Sequence, residues 1–83
     1  MDLNRIPLNR LPVGRKGKVV FLASDGAIRR RMLDLGVTDG TEIEPLYRSP
    51  SGNPVAYLIR GAVIALRSDV SEKIVVSGEL PWG

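Results

Sequence analysis

Side chains that could do chemistry are few in this chain. Its 83 residues include no histidine and no cysteine, so two of the commonest catalytic side chains are absent. The carboxylates of Glu42 and Glu44 are two positions apart and would point to the same face of a strand. Such a pair can act as acid and base only inside a cleft, and we interpret it as a solvated strand face. We therefore predict no catalytic residue and no enzymatic activity.

Metal and phosphate sites are equally poorly supported. Fe(II) sites favour imidazole combined with carboxylate, and here only Asp39, Glu42 and Glu44 cluster in the sequence. We predict no metal site and no cofactor. Residues 14–18, Gly-Arg-Lys-Gly-Lys, lack the spacing and the Ser or Thr of a phosphate-binding loop, so the chain should not hydrolyse GTP by itself.

Charge is distributed unevenly along the sequence. The formal net charge is +3, but residues 1–31 carry eight basic and two acidic side chains, whereas residues 32–83 carry four basic and seven acidic ones. A basic first third indicates an acidic partner, which can be nucleic acid, a membrane surface or an acidic protein face. A solvated surface that only keeps the protein in solution explains the same pattern, and the sequence leaves both readings open.

Size and hydropathy indicate one small domain. A chain of 83 residues with 43% hydrophobic side chains can form a single modest core, and without cysteine its stability must come from packing and a sheet. No apolar run approaches the roughly 20 residues of a membrane span, and the first residues lack the apolar segment of a secretion signal. We predict a cytoplasmic protein that does not insert into the membrane.

One helix of about three turns is predicted after Ser24 or Asp25, either of which can cap it. Ile28, Met32 and Leu35 recur at helical spacing and should form its buried stripe. Gly36 is the left-handed residue expected after the last turn. Leu33 lies outside the stripe and either packs under a loop or faces a partner.

Short strands account for most of the remaining chain. The first predicted elements are a docked helical turn at Leu8 and Leu11 and a strand at 18–23, which is covered on both faces and has Phe21 in the core. A strand at 42–48 follows, in which Pro45 marks an edge or a bulge, and then a hairpin of 55–59 and 62–66. The last elements are a helical turn at 67–72, with Asp69 and Glu72 at capping-box spacing, and a strand at 73–76. Short strands, tight turns and one helix favour a partly open antiparallel barrel. We place the domain at residues 1–76 and a flexible tail at residues 77–83.

Several short sequence blocks follow one another in a characteristic order and spacing. They are LPVG at 11–14, GKV at 17–19, RRMLDLGV at 30–37, GT at 40–41, SP at 49–50, GNP at 52–54, RG at 60–61, IALR at 64–67 and IVV at 74–76. Taken together, these blocks resemble the ferrous iron transport protein A family, FeoA. The resemblance runs from about residue 8 to residue 76 and implies an SH3-like barrel. It also implies a small cytoplasmic adaptor of ferrous iron uptake that binds and modulates FeoB, the membrane Fe(II) transporter with a cytosolic G domain. Transition-metal binding is implied only at the level of the family, and no established catalytic residue is implied.

Two segments are our candidates for a protein-interaction surface. They are the helix residues Arg29, Arg30, Arg31 and Leu33, and the loop residues Pro50, Ser51, Gly52, Asn53 and Pro54. The arginines can bind carboxylates through paired hydrogen bonds, and a proline-ordered loop loses little entropy on docking. Ser51 and Asn53 depart from the apolar residue and the aspartate common in FeoA proteins, which could alter partner choice.

Nucleic-acid binding is the alternative function. Small basic barrels bind RNA or DNA, and residues 14–19 are similar to the basic strand of ribosomal KOW barrels; a related barrel also ends the iron-dependent repressors. Stacking side chains are scarce, since the aromatic residues are Phe21, Tyr47, Tyr57 and Trp82, and we assign Phe21 and Tyr57 to the core. Weak self-association stays open.

Overall fold

The computed structural model describes residues 5–78. In chain order the elements are β1 (Arg5–Pro7), a 3₁₀ helix (Leu8–Arg10), β2 (Gly17–Leu22), α1 (Gly26–Asp34), β3 (Glu42–Arg48), β4 (Val55–Ile59), β5 (Ala62–Leu66), α2 (Ser68–Ser71) and β6 (Ile74–Gly78). All strand pairs are antiparallel, and the strands form one sheet in the order β1-β6-β2-β3-β4-β5. The predicted fold class, mainly β with short helices in a partly open antiparallel arrangement, is confirmed.

A single cluster of buried side chains connects the 3₁₀ helix and α1 to the strands from β2 to β6. Leu8 and Leu11 are almost fully buried, as the predicted docked turn requires. Tyr57 is also buried at the centre of β4. Burial raises the pKa of its phenol above the usual value, while a hydrogen bond with Ser71 and the charge of Arg48 act in the opposite direction. The Tyr57–Ser71 contact ties the sheet to α2.

A bulge in β2 overturns the prediction that Phe21 belongs to the core. Val19 pairs with Val76 and Phe21 pairs with Val75, so Val20 is an extra residue between two regular pairs. One extra residue reverses which side chains face the core. Phe21 is therefore 59% exposed while its neighbour Leu22 is buried, and β2 is not covered on both faces.

Pro45 marks a bulge in β3, which is one of the two alternatives predicted for it. β3 lies between β2 and β4 in the sheet, and its register with β4 shifts between Pro45 and Tyr47. The carbonyl of Pro45 accepts a hydrogen bond from the Gly14 N–H at 2.9 Å. Within residues 5–78, β3 pairs with β2 only through Glu42 and Ile43, so the edge near Pro45 as a site for a partner strand stays a prediction.

Helix α1 has nine residues, about two and a half turns. Met32 is buried and Leu35 is half-buried, but Ile28 is 44% exposed, so the predicted stripe lacks its first member. The helix ends as predicted: Gly36 has φ +90°, its N–H bonds the Leu33 carbonyl, and the Val37 N–H bonds the Met32 carbonyl. This is the Schellman arrangement, in which a left-handed glycine closes the last turn.

Both ends of the described chain differ from the sequence-based elements. β1 is a strand that the sequence did not predict, and it pairs with β6 through Ile6 and Val76. β6 continues to Gly78, two residues beyond the domain end that we placed at residue 76. The rest of the predicted tail, residues 79–83, lies outside the described residues.

Candidate functional site

A shallow groove between α1 and β2 carries the most distinctive surface. Its volume is about 290 Å³, and its lining residues are Val19, Val20, Phe21, Leu22, Arg29, Leu33, Thr38 and Asp39. Phe21 and Leu33 are 59% and 41% exposed. The groove brings together a strand residue and a helix residue that are 12 positions apart in the sequence, and both are apolar. We call this feature the α1–β2 groove.

Arg29 positions one wall of the α1–β2 groove. Its Nη1 donates a hydrogen bond to the Leu22 carbonyl at 3.2 Å, at the end of β2. A guanidinium has five N–H donors, so this bond anchors the side chain while other donors stay available. Arg29, one of the three arginines predicted for the interaction surface, thus both bonds the end of β2 and lines the groove.

Arg30 and Arg31 are exposed residues of α1 that do not line the groove. Both side chains are exposed, and no ion pair joins them to a carboxylate among residues 5–78. Asp34 is four positions after Arg30 on the same helix, yet the two side chains form no such pair. The helix therefore presents two uncompensated positive charges next to exposed Ile28 and Leu33.

The proline loop, residues 49–54, is held by its own hydrogen bonds. The Ser49 N–H bonds the Pro54 carbonyl at 3.1 Å, and the Gly52 N–H bonds the Ser49 carbonyl at 2.8 Å. The Ser51 hydroxyl donates to the Asn53 carbonyl at 2.9 Å, and the Asn53–Pro54 peptide bond is cis. Ser51 thus contributes to the loop's internal structure.

Asn53 connects the proline loop to α2. Its Oδ1 accepts a hydrogen bond from the Ser68 N–H at 3.0 Å, and its Nδ2 donates to the Ser68 Oγ at 3.4 Å. The predicted capping box is wrong, because no side chain next to α2 in sequence caps it and Asn53 supplies the bond instead. No hydrogen bond within the described part of the chain joins this loop to α1, so the two predicted segments are not shown to form one surface.

A cavity of about 530 Å³ holds charges of both signs. Lys16, Lys18 and Arg60 line it together with Glu42 and Glu44. The two glutamates share a cavity wall, as their spacing predicts. Mixed charge on an open surface gives no enclosed acid–base pair.

Metal ligands do not assemble in the described chain. No group of three or more Asp or Glu side chains among residues 5–78 is placed to hold an ion. Asp39 lines the α1–β2 groove, whereas Glu42 and Glu44 line the larger cavity. The carboxylates that cluster in the sequence thus line different cavities.

Comparison with known proteins gives the family. The family model of the FeoA domain matches residues 6–78. The chain belongs to the FeoA family. This family is associated with ferrous iron transport, and its match spans every described strand except the first residue of β1. No match was found among curated protein sequences.

Solved structures of FeoA proteins have the same fold. An FeoA-like protein from Clostridium acetobutylicum is 31% identical with a TM-score of 0.85, and the alignment covers 96% of this chain and 93% of that one. FeoA from Chlorobium tepidum is 28% identical with a TM-score of 0.85, covering 94% and 74%. FeoA from Stenotrophomonas maltophilia, solved with zinc and described as a prokaryotic SH3 domain protein, is 28% identical with a TM-score of 0.77, covering 87% and 93%. The SH3-like architecture is confirmed.

Sequence reasoning placed Arg29 and Leu33 in the candidate surface but missed Phe21. Apolar runs do not show where a bulge falls, so Phe21 was assigned to the core. A second exposed aromatic residue, Tyr47, lies on β3 and is 61% exposed. Within residues 5–78, no helix has the length and apolar character needed to cross a bilayer.

Proposed function

We propose that this FeoA-family chain is a non-enzymatic cytoplasmic adaptor that binds the cytosolic part of an FeoB-like Fe(II) transporter through the α1–β2 groove. The observation that supports it is that exposed Phe21 and Leu33 line the groove together with Arg29, while Arg30 and Arg31 of the same helix have no ion-pair partner among residues 5–78. Apolar anchors at the centre of a patch and arginines around them are typical of protein interfaces.

The charge pattern favours an acidic protein surface as the partner. Arg30 and Arg31 have no carboxylate partner within the described chain, so a partner's carboxylates can pair with them without breaking an existing contact. Arg29 already bonds the Leu22 carbonyl, which holds the groove wall in place before binding. A pre-positioned wall reduces the entropy lost on association.

A calorimetric titration with the purified cytosolic part of the cognate FeoB tests the proposal. Leu33→Ser should weaken binding by about tenfold or more, because it removes a central apolar contact. Val13→Ser is the matched control, since Val13 is 46% exposed and does not line the groove. Equal affinity of both variants would remove the groove from the interface, and no binding by the native chain would overturn the adaptor role.

Nucleic-acid binding is the second candidate, and exposed Phe21 and Tyr47 favour it more than the sequence suggested. Binding measurements on this chain, with the cytosolic part of FeoB and with an oligonucleotide as separate ligands, distinguish the adaptor function from nucleic-acid binding. A single-stranded oligonucleotide should bind weakly, with an affinity that falls steeply with salt. Oligonucleotide binding that is tighter than FeoB binding and is lost in Phe21→Ser would replace the adaptor proposal.

A further inference from the structure

Two Asp-Gly linkages occur in the described chain, Asp25-Gly26 and Asp39-Gly40. In such a linkage the glycine nitrogen can attack the side-chain carboxyl carbon of the aspartate and close a five-membered imide, because glycine has no Cβ to shield its nitrogen. All four residues are exposed, and both glycines have positive φ, +60° and +86°. Sequence, exposure and glycine conformation therefore do not distinguish the two linkages.

Hydrogen bonding distinguishes the two glycine nitrogens. The Gly40 N–H donates to the Val19 carbonyl at 2.7 Å. The Gly26 N–H has no hydrogen-bond partner within residues 5–78, because Gly26 is the first residue of α1 and a helix offers no carbonyl to its first N–H groups. The attacking nitrogen must thus break a bond at Asp39-Gly40 and breaks none at Asp25-Gly26.

The turn that contains Asp39 is also held by threonine hydrogen bonds. The Thr41 Oγ1 donates to the Gly36 carbonyl at 2.9 Å and accepts from the Thr38 N–H at 3.1 Å. The Val19 N–H bonds the Thr41 carbonyl at 2.9 Å, so the turn is fixed to β2. Rotation of the Asp39 backbone into an imide ring requires this part of the structure to open first.

The backbone at Asp25 has weaker attachments. The Asp25 side chain makes no capping hydrogen bond and no ion pair among residues 5–78. Its carbonyl accepts a long bond from the Arg29 N–H, at 3.3 Å. Asp25 is extended, with ψ −179°, so imide closure needs a rotation about its Cα–C bond. Gly26 tolerates a wide range of φ and can compensate for that rotation without strain.

We propose that Asp25 is a site of spontaneous isoaspartate formation in the folded protein, whereas Asp39 is protected. The Gly26 nitrogen bonds to Cγ of Asp25, and the carboxyl hydroxyl leaves as water with the amide hydrogen. Water then opens the imide at either carbonyl. Opening at Cγ restores aspartate, and opening at the backbone carbonyl gives the β-linked isomer of the same mass. The sequence of steps uses only water, which is released and then consumed.

The rearrangement falls between the two walls of the α1–β2 groove. It inserts the Cβ methylene of residue 25 into the backbone between Leu22 and Arg29, and the carbonyl that accepts the Arg29 N–H becomes part of a free carboxylate. Isomerisation therefore disturbs the first turn of α1. The new carboxylate is the group that isoaspartyl methyltransferases esterify with S-adenosylmethionine, so the isomerised chain is a substrate for this class of enzyme. The inference does not depend on the proposed function.

Peptide mapping of the native chain after storage in warm, mildly acidic buffer tests the proposal. Cleavage after lysine and arginine places the two linkages in different peptides, residues 19–29 and residues 32–48, and the isomers separate by chromatography. Isoaspartate should accumulate in the first peptide about tenfold or more faster than in the second, because hydrogen bonds must open before Gly40 reacts. Equal accumulation, or faster accumulation at Asp39, would overturn the proposal.

The unfolded chain is the control that isolates the effect of the fold. In concentrated guanidinium chloride both linkages lose their structural restraints, and each keeps glycine as the following residue, so the two rates should become similar. A rate difference between the peptides that persists unchanged in the unfolded chain would show that local sequence sets the rates, and would overturn the proposal.

Two variants test the assignment at each linkage. Asp25→Ser keeps a side chain that can cap α1 and should abolish methyl labelling of the stored chain by an isoaspartyl methyltransferase; persistent labelling would place the isoaspartate elsewhere. Thr41→Val deletes the hydroxyl that bonds Gly36 and should speed isomerisation at Asp39 while leaving the rate at Asp25 unchanged. An unchanged Asp39 rate in the folded variant would overturn the assigned cause of its protection. The comparison of folded and unfolded native chain decides the proposal even if Thr41→Val does not fold.

Discussion

Asn53 of the proline loop accepts, through Oδ1, a hydrogen bond from the backbone N–H of Ser68 at 3.0 Å. Ser68 is the first residue of α2, where N–H groups have no partner within the helix. A residue 15 positions earlier in the chain therefore caps this helix. The loop that the sequence marks as a docking element is thus also a brace for the second helix.

Asn53→Ala should lower the free energy of unfolding by about 1 kcal/mol, as for other lost helix caps. Asn53→Asp restores the common family residue and keeps the acceptor oxygen, so it should stay within about 0.5 kcal/mol of the native chain. Urea denaturation measures both. A loss in Asn53→Asp as large as that in Asn53→Ala would show that the Nδ2 bond, not the Oδ1 bond, holds the loop to α2.

Met32→Ala should cost about 2–4 kcal/mol, because it leaves a cavity under α1. Ile28→Ala is the matched control on the same helix: Ile28 is 44% exposed, whereas Met32 is 2% exposed, so its truncation should cost less than about 1 kcal/mol. Urea denaturation of the two variants compares them directly, and similar losses would mean that Ile28 also packs in the core.

Gly36→Ala should be more damaging than Gly40→Ala, although both residues have positive φ. A Cβ at residue 36 would collide with the Arg60 side chain, whereas a Cβ at residue 40 meets nothing. Gly40→Ala should cost about 1–2 kcal/mol from backbone strain, and Gly36→Ala should cost more. Arg60→Ala should recover the excess in the double variant, and a double variant that only adds the two losses would exclude the collision.

Raising the pH should lower the free energy of unfolding of the native chain more than that of the Tyr57→Phe variant. Burial raises the pKa of Tyr57 in the folded state, whereas the unfolded phenol titrates near pH 10. Below about pH 10 both states are protonated; above it the unfolded state ionises first, so the free energy of unfolding falls until the folded pKa is passed. Urea denaturation between about pH 9 and 11 should give a steeper fall for the native chain, and parallel slopes would contradict the assignment.

Arg30→Glu combined with Arg31→Glu should weaken binding to the cytosolic part of FeoB more than the double alanine variant does. Charge reversal replaces attraction with repulsion, and the difference should shrink at high salt because exposed charges are screened beyond about 10 Å at 0.1 M. Calorimetry at two salt concentrations measures it. Unchanged melting temperatures are the control for folding, and native-like affinity of the double-Glu variant would exclude the helix charges from the interface.

Local signals in the sequence determined much of the architecture. The Arg60–Gly61 turn, the β4–β5 hairpin and the left-handed Gly36 were predictable because each depends on residues within one turn or one strand pair. The missing histidine and cysteine were likewise visible without a structure. Such features need no knowledge of which strands become neighbours.

Only the tertiary structure decided which side chains are exposed and which loop meets which helix. The bulge at Val20 depends on the register between β2 and β6, and one shifted residue moves Phe21 from the core to the surface. The cap of Asn53 on Ser68 and the place of β5 as an outer strand of the described sheet depend on contacts between distant segments. Pattern along the chain constrains each element, but pairing between elements determines the surfaces available to a partner.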